Sequence, residues 1–206
     1  MSQTTTLQDA IRLLFVLMHG SELLTEHPKG FTRKLEGRSK IFAMDFWMRY
    51  PDFLAHELLN RYENTGERRY LEIAKKIFDN NEPNLRTIPM IRYRFGAYED
   101  LTETIALLKT KGLIHEDGQK LNGKILGYDY FITPAAERVI TDIRKEFPIL
   151  VWYDERAKLV REIAGDRGGA DLKQEQYKHL DYASTALGGV IPSIKADVLK
   201  RLNKFN

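Results

Sequence analysis

A mainly helical chain with one small β element is the fold class that this sequence predicts. Three observations carry the prediction. Apolar residues recur at three- and four-residue spacing over much of the 206 residues. That period gives way to alternation only near Met90–Phe95 and Leu113–Ile132. Glycines and prolines such as Gly20, Pro51, Gly112 and Pro134 stand at the ends of the periodic runs.

The elements follow in order. Leu7, Ile11, Leu14 and Met18 mark a first helix that Gly20 ends. Residues 25–39, with Pro28, Gly30 and Gly37, read as a loop or a short irregular pairing. Ser39 is suited to N-cap a helix through Tyr50, and Asp52 to restart one after Pro51 through Tyr62. Residues 67–78 carry Tyr70, Ala74 and Ile77 on one helical face, and the Asn/Pro-rich stretch 79–89 is a loop. Met90–Phe95 alternates and closes at Gly96, as a strand or extended arm does. Leu101, Ile105 and Leu108 make an amphipathic helix that stops at Gly112. A strand begins at Leu113-Ile114-His115, and Glu116–Gly127 reads as a polar, glycine-rich loop. Tyr128–Ile132 returns as a strand, and Thr133-Pro134 caps a helix with Val139, Ile140, Ile143 and Phe147 inward. Trp152, Leu159 and Ile163 mark a later helix, Gly165–Gly169 reads as its C-cap and a flexible connection, and 193–205 forms a short basic helix.

Helix, Gly-Leu-Ile strand, loop, aromatic strand, Thr-Pro helix is the order of a winged helix. A two-stranded hairpin cannot bury itself alone and must lie on the helix before it. Helices at 7–18 and 39–50 would complete a three-helix core. The prediction is therefore a winged-helix-like domain over 1–148 with a helical insertion at 51–89, and a C-terminal helical extension over 149–206.

Composition bounds the chemistry. The formal charge is +3, from 32 basic and 29 acidic residues, with the surplus concentrated in 65–95. That is far from the charge density of a histone-like nucleic-acid binder, so phosphate binding requires a local patch. No apolar run is long enough to span a bilayer, and Leu13–Met18 is short for a signal peptide. A cytoplasmic location without membrane partners is the default expectation. Cysteine is absent, which removes disulfides, thiolate metal sites and cysteine catalysis.

No catalytic, cofactor-binding or metal-binding residue is expected. His19, His27, His56, His115 and His179 show no ligand spacing and read as solvated surface groups. Gly165–Gly169 lacks the Lys-Ser/Thr of a phosphate loop, Asp52 and Asp171 lie far apart with no E-x-K for a nuclease, and no G-x-S-x-G occurs. The informative cluster is Arg86, Arg92, Arg94 and Tyr98, in a stretch without acids between Glu82 and Glu99. Alternation puts Arg92 and Arg94 on one strand face and Tyr93 and Phe95 on the other. Those arginines suit phosphates or a partner's carboxylates, and the fold is expected not to depend on them. An edge strand with solvated arginines is the competing reading. Lys120 and Lys124, with Lys109 and Lys111, surround the wing as a second basic feature, diluted by Glu116, Asp117 and Asp129. Glu99, Asp100 and Glu103 make the helix before the wing a poor major-groove reader.

Two segments resemble a known family. Lys40–Leu54 (KIFAMDFWMRYPDFL) and Met90–Asp100 (MIRYRFGAYED) are similar to segments of the middle components of bacterial ABC three-component systems. That family includes the small subunit of Lamassu-type anti-phage and anti-plasmid defence complexes. This chain has Gly96-Ala97-Tyr98 where the family usually has Gly-Pro-Trp. The resemblance covers most of 7–140. It implies a non-enzymatic winged-helix adaptor that binds the heads of an SMC-like ATPase, senses foreign DNA and restrains an effector nuclease, with duplex DNA as a further partner of the assembled complex. A free-standing winged-helix DNA-binding regulator is the alternative.

Overall fold

The structure is a computed structural model that describes residues 6–80, 90–92 and 100–205. It is mainly helical with a small antiparallel sheet, the class expected from the sequence. The helices are α1 (Thr6–Gly20), α2 (Arg38–Arg49), α3 (Pro51–Thr65), α4 (Arg68–Asp79), α5 (Thr102–Thr110), α6 (Pro134–Glu146), α7 (Val151–Ala164), α8 (Gly169–Tyr177), α9 (Leu180–Ser184) and α10 (Lys195–Leu202). The strands are β1 (Glu22–Leu23), β2 (Arg33–Glu36), β3 (Ile114–Leu121) and β4 (Lys124–Ile132), in the spatial order β1-β2-β4-β3. Among the described residues, no helix is long and apolar enough to cross a membrane.

The chain forms two compact units, each built from two stretches: Met1–Asp45 with Glu99–Gln176, and Phe46–Tyr98 with Tyr177–Asn206. These bounds differ from a cut at Pro148. Residues 149–176 belong to the first unit because α7 packs on α1, and the inserted stretch is joined by the C-terminal residues because α10 packs on α3 and α4.

In the first unit α1 is the central helix. The 3.6-residue period assigns it one apolar face, yet every residue from Leu13 to Met18 is buried and Leu7, expected on that face, is exposed. Neighbours on several sides explain this: α5, α6, α7, β2 and β4 all pack against α1. Leu101, Ile105 and Leu108 turn inward as their spacing requires. Thr133 caps α6, its hydroxyl accepting from the Ala136 amide. Ile140 and Ile143 are buried, but Phe147 is exposed because α6 has already ended.

The sheet is larger than alternation alone suggests. Residues 33–36, expected within a loop or a short irregular pairing, form a regular strand that pairs with β4 in the register Arg33↔Ile132 to Glu36↔Asp129. Glu116–Gly127, expected to be a loop, is mostly strand, and β3 and β4 pair from Ile114↔Ile132 out to Leu121↔Lys124. The reversal is the two-residue turn Asn122-Gly123, with φ of 50° and 75°. An Asn-Gly pair with both residues left-handed matches the right-handed twist of a hairpin. Within Gly165–Gly169 the expected C-cap is present, and Gly169 already begins α8. Gly165 ends α7, and a Cβ on Gly169 would lie 2.6 Å from the Lys40 amide nitrogen, so only glycine permits this approach.

An ion cluster ties α1 to α6 and α7. Asp154 Oδ1 is 2.6 Å from His19 Nε2 and 2.5 Å from Arg144 Nη2, and Oδ2 is 2.9 Å from Lys158 Nζ. Burial disfavours the charged carboxylate, but these three hydrogen bonds overcome it and hold Asp154 well below the usual carboxylate range. Burial also lowers the His19 pKa from 6.5 despite the adjoining carboxylate, whose charge Arg144 and Lys158 already offset. Neutral His19 thus donates its Nε2 proton to Asp154.

In the second unit, α3 starts at Pro51 without a side-chain cap, and Asp52 serves elsewhere. Its Oδ2 accepts from Ser193 Oγ at 2.6 Å and from the Ile194 amide at 3.1 Å, at the start of α10. Phe46, Tyr50, Phe53 and Tyr182 form an aromatic core with centroid separations of 4.7–6.4 Å.

Leu108, with 2% of its surface exposed, is a sensitive reporter of the first unit. Leu108→Ala should lower unfolding free energy by about 2–5 kcal/mol in a denaturant melt. A loss under about 0.5 kcal/mol, the scale of a surface change, would refute the assigned core. The depressed His19 pKa makes the unfolded chain bind more protons as pH falls below 6.5. Its contribution to stability is therefore complete above that value and is lost as pH decreases through the window below it. In melts across pH 7.5 to 5, His19→Gln, which keeps an N–H for Asp154, should reduce this slope. An unaltered slope would show that His19 does not titrate in this way.

Candidate functional site

Of the residues singled out by sequence, Arg86, Arg94 and Tyr98 lie outside the described residues. Arg92 lies inside and is engaged internally. Its Nη1 donates to the Ala183 carbonyl at 2.5 Å and also to the Thr185 carbonyl. Its guanidinium lies 5.8 Å from the Tyr177 ring centroid. Its amide donates to the Gly189 carbonyl, and Ile91 forms an isolated antiparallel bridge with Val190. The expectation that the fold does not depend on Arg92 is therefore corrected. This guanidinium satisfies carbonyls at the end of α9, which no local pattern near residue 92 signals.

Lys120 and Lys124 flank the β3–β4 turn, and both are exposed. Leu121, Ile125 and Leu126 beside them are 60%, 52% and 67% exposed. No acidic residue occurs between Asp117 and Asp129. Glu116 pairs with Lys109 at 2.6 Å, and Asp129 with Lys34 at 3.0 Å. These acids sit toward the base of the hairpin, about 17 Å of strand from the turn. They do not dilute the tip, which is both apolar and basic.

The helix before the hairpin has a different outer face. Thr102, Glu103, Ala106, Lys109 and Thr110 are its exposed residues. Lys109, the one cation among them, is the partner of Glu116.

The histidines depart from expectation, since none of the five is fully exposed. Phe31 stacks against His27 at 4.7 Å and His115 at 5.2 Å beside the sheet. In the second unit, His56 on α3 and His179 between α8 and α9 meet edge to face, with ring centroids 4.3 Å apart. Phe53 contacts the His179 ring at 5.0 Å. Glu57, 7% exposed, brings Oε1 to 3.7 Å from His56 Nδ1. Asn60 Nδ2 lies 3.3 Å from the same His56 nitrogen, one helical turn on. Burial, with the His56 imidazole against it, pushes the His179 pKa down to about 4. One ligand atom from each of His56, Glu57 and His179 lies within 4.8 Å of the others. Spacing along the chain could not reveal this group, because the third member comes from beyond both α4 and α8.

Charge divides unevenly between the units. The second carries 14 basic and nine acidic residues, net +5, and the first carries 18 and 20, net −2.

Arg92→Ala would remove the guanidinium hydrogen bonds to the Ala183 and Thr185 carbonyls. It should lower unfolding free energy by about 1–3 kcal/mol in a urea melt. A midpoint indistinguishable from that of the parent chain would mean that the internal hydrogen bonds contribute nothing.

No family model, curated protein or solved structure matches this chain.

Proposed function

We propose that this protein is a non-enzymatic adaptor subunit, built on a winged-helix module, of an SMC-like ATPase complex that senses foreign DNA and controls an effector nuclease. Two kinds of support stand behind the reading. One is the resemblance of Lys40–Leu54 and Met90–Asp100 to the middle components of ABC three-component systems. The other is topology: helix α5, hairpin β3–β4 and helix α6 follow in winged-helix order, and β2, from between α1 and α2, extends the hairpin sheet.

The observation that carries an adaptor over a DNA reader is the contrast between α5 and the hairpin tip. A duplex-reading helix needs a basic, polar outer face to engage phosphates and base edges. On α5 the exposed acid Glu103 is unmatched by a cation that lacks a carboxylate partner. The tip instead offers Leu121, Ile125 and Leu126 framed by Lys120 and Lys124. Clustered apolar side chains beside cations suit an apolar patch with an acidic rim on a protein partner. Within this reading that partner is the ATPase head region, in the cytoplasm.

The Lys40–Leu54 segment is consistent with a role in the fold. Ile41, Met44, Phe46, Trp47, Met48, Tyr50, Phe53 and Leu54 are all buried. The segment therefore marks the scaffold, and the contact surface is sought on the hairpin.

The test is genetic and biochemical. The gene should neighbour reading frames for an SMC-like ATPase and a nuclease, and co-expressed ATPase should co-elute with the tagged protein. The double substitution Leu121→Asp and Ile125→Asp should abolish co-elution while leaving the melting temperature within about 2 °C, because exposed positions contribute little to stability. Retained co-elution would exclude the tip as the contact. Absence of such neighbours, with a dimer that binds duplex in a steeply salt-dependent way, would favour the free-standing regulator.

A further inference from the structure

We propose that His56, Glu57 and His179 form a binding site for one divalent transition-metal ion of the zinc class, with a remaining coordination position open to water. The inference stands on the second unit alone and is independent of the adaptor reading.

The donor set is the first argument. Two imidazoles and one carboxylate suit zinc and its neighbours, whereas magnesium and calcium prefer all-oxygen shells. The carboxylate supplies negative charge against the dication, and the imidazoles supply neutral nitrogen donors.

Geometry is the second. The three ligand atoms already lie within 4.8 Å of one another. Tetrahedral donors at 2.0–2.1 Å from zinc are about 3.4 Å apart. The separations therefore need to shrink by at most about 1.4 Å, a distance on the scale of side-chain rotation.

Support around the ligands is the third. Glu57 is 7% exposed, so its carboxylate is held by surrounding structure. Asn60 Nδ2 can only donate to His56 Nδ1, so it marks the lone pair that an ion at that nitrogen would take over, while the Asn60 side-chain oxygen accepts from Arg201 Nη2 at 3.0 Å. Phe53 packs on the His179 ring. The amide of Ala183 donates to the His179 carbonyl at 2.8 Å, which anchors the backbone that presents the third ligand. Ligand-orienting contacts of this kind commonly tune metal affinity. An ion held here would clamp α3 to the segment between α8 and α9, just before the α9 end on which Arg92 docks.

The experiment uses the full chain, stripped with chelator and dialysed. Isothermal titration with zinc chloride should give one site per chain, and the melting temperature should climb steadily as free zinc rises above its dissociation constant. His179→Ala and His56→Ala should each weaken binding at least tenfold. Glu57→Gln keeps the shape without the charge and serves if a histidine variant does not fold. It should weaken binding and remove the zinc-dependent rise in melting temperature. His27→Ala, in the first unit, should bind as the parent does, and magnesium chloride should give no heat beyond dilution. Absence of stoichiometric zinc binding by the parent chain would overturn the proposal. So would binding that survives all three ligand substitutions.

Discussion

The Arg12 guanidinium, buried inside the first unit, is the constraint on which the arrangement of that unit depends. Arg12 is 1% exposed, and its charge is met by Asp9 Oδ1 at 2.5 Å and Asp45 Oδ1 at 2.8 Å. A buried charge without a partner costs several kcal/mol, so this group is stable only in one setting of α1. Turning α1 by one residue would swing Arg12 about 100° away from Asp45 and bring an apolar side chain to that carboxylate, while Asp9 turns with the helix. The apolar residues Leu13–Met18 offer no such discrimination, because all of them are buried. The ion cluster thus fixes the rotation of α1, and α5, α6, α7 and two strands are positioned against it.

From that frame the hairpin extends with two properties set by separate causes. Its reach comes from the Asn122-Gly123 turn, which lets β3 and β4 pair to their ends. Its surface character comes from the placement of charge. Glu116 and Asp129 are engaged near the base by Lys109 and Lys34, so the outer part presents lysines and aliphatic side chains without carboxylates. Total composition, nearly balanced in charge, gives no hint of this separation.

The second unit shows how one residue type can be read in two ways. Arginines in an acid-poor segment suit an interface, and Arg92 has that sequence context. Its guanidinium instead closes the ends of an element about ninety residues later, where carbonyls need donors. The same late segment carries His179 to His56 and Glu57. Two functions of chain return, satisfying backbone carbonyls and assembling side chains, therefore meet in one stretch after α8.

The sequence by itself determined the helices and their inward residues wherever one face alone is buried. Leu101, Ile105 and Leu108 on α5 and the Thr133 cap of α6 are such cases, because helical period and capping are local properties. The Asn122-Gly123 pair is a local hairpin signal, but the glycines and charges around it make Glu116–Gly127 read as a loop, and strand pairing overturns that. Tertiary structure decided what depends on partners distant in the chain. α1 is buried beyond its periodic face because several elements surround it, β2 is a strand because β4 offers an edge, and Asp52 caps α10 instead of its own helix. The candidate sites divide in the same way. Lys120 and Lys124 could be chosen from local charge, but their apolar company at an exposed tip required strand pairing. His56, Glu57 and His179 could not be joined by spacing at all, since their proximity comes from the path of the chain between them.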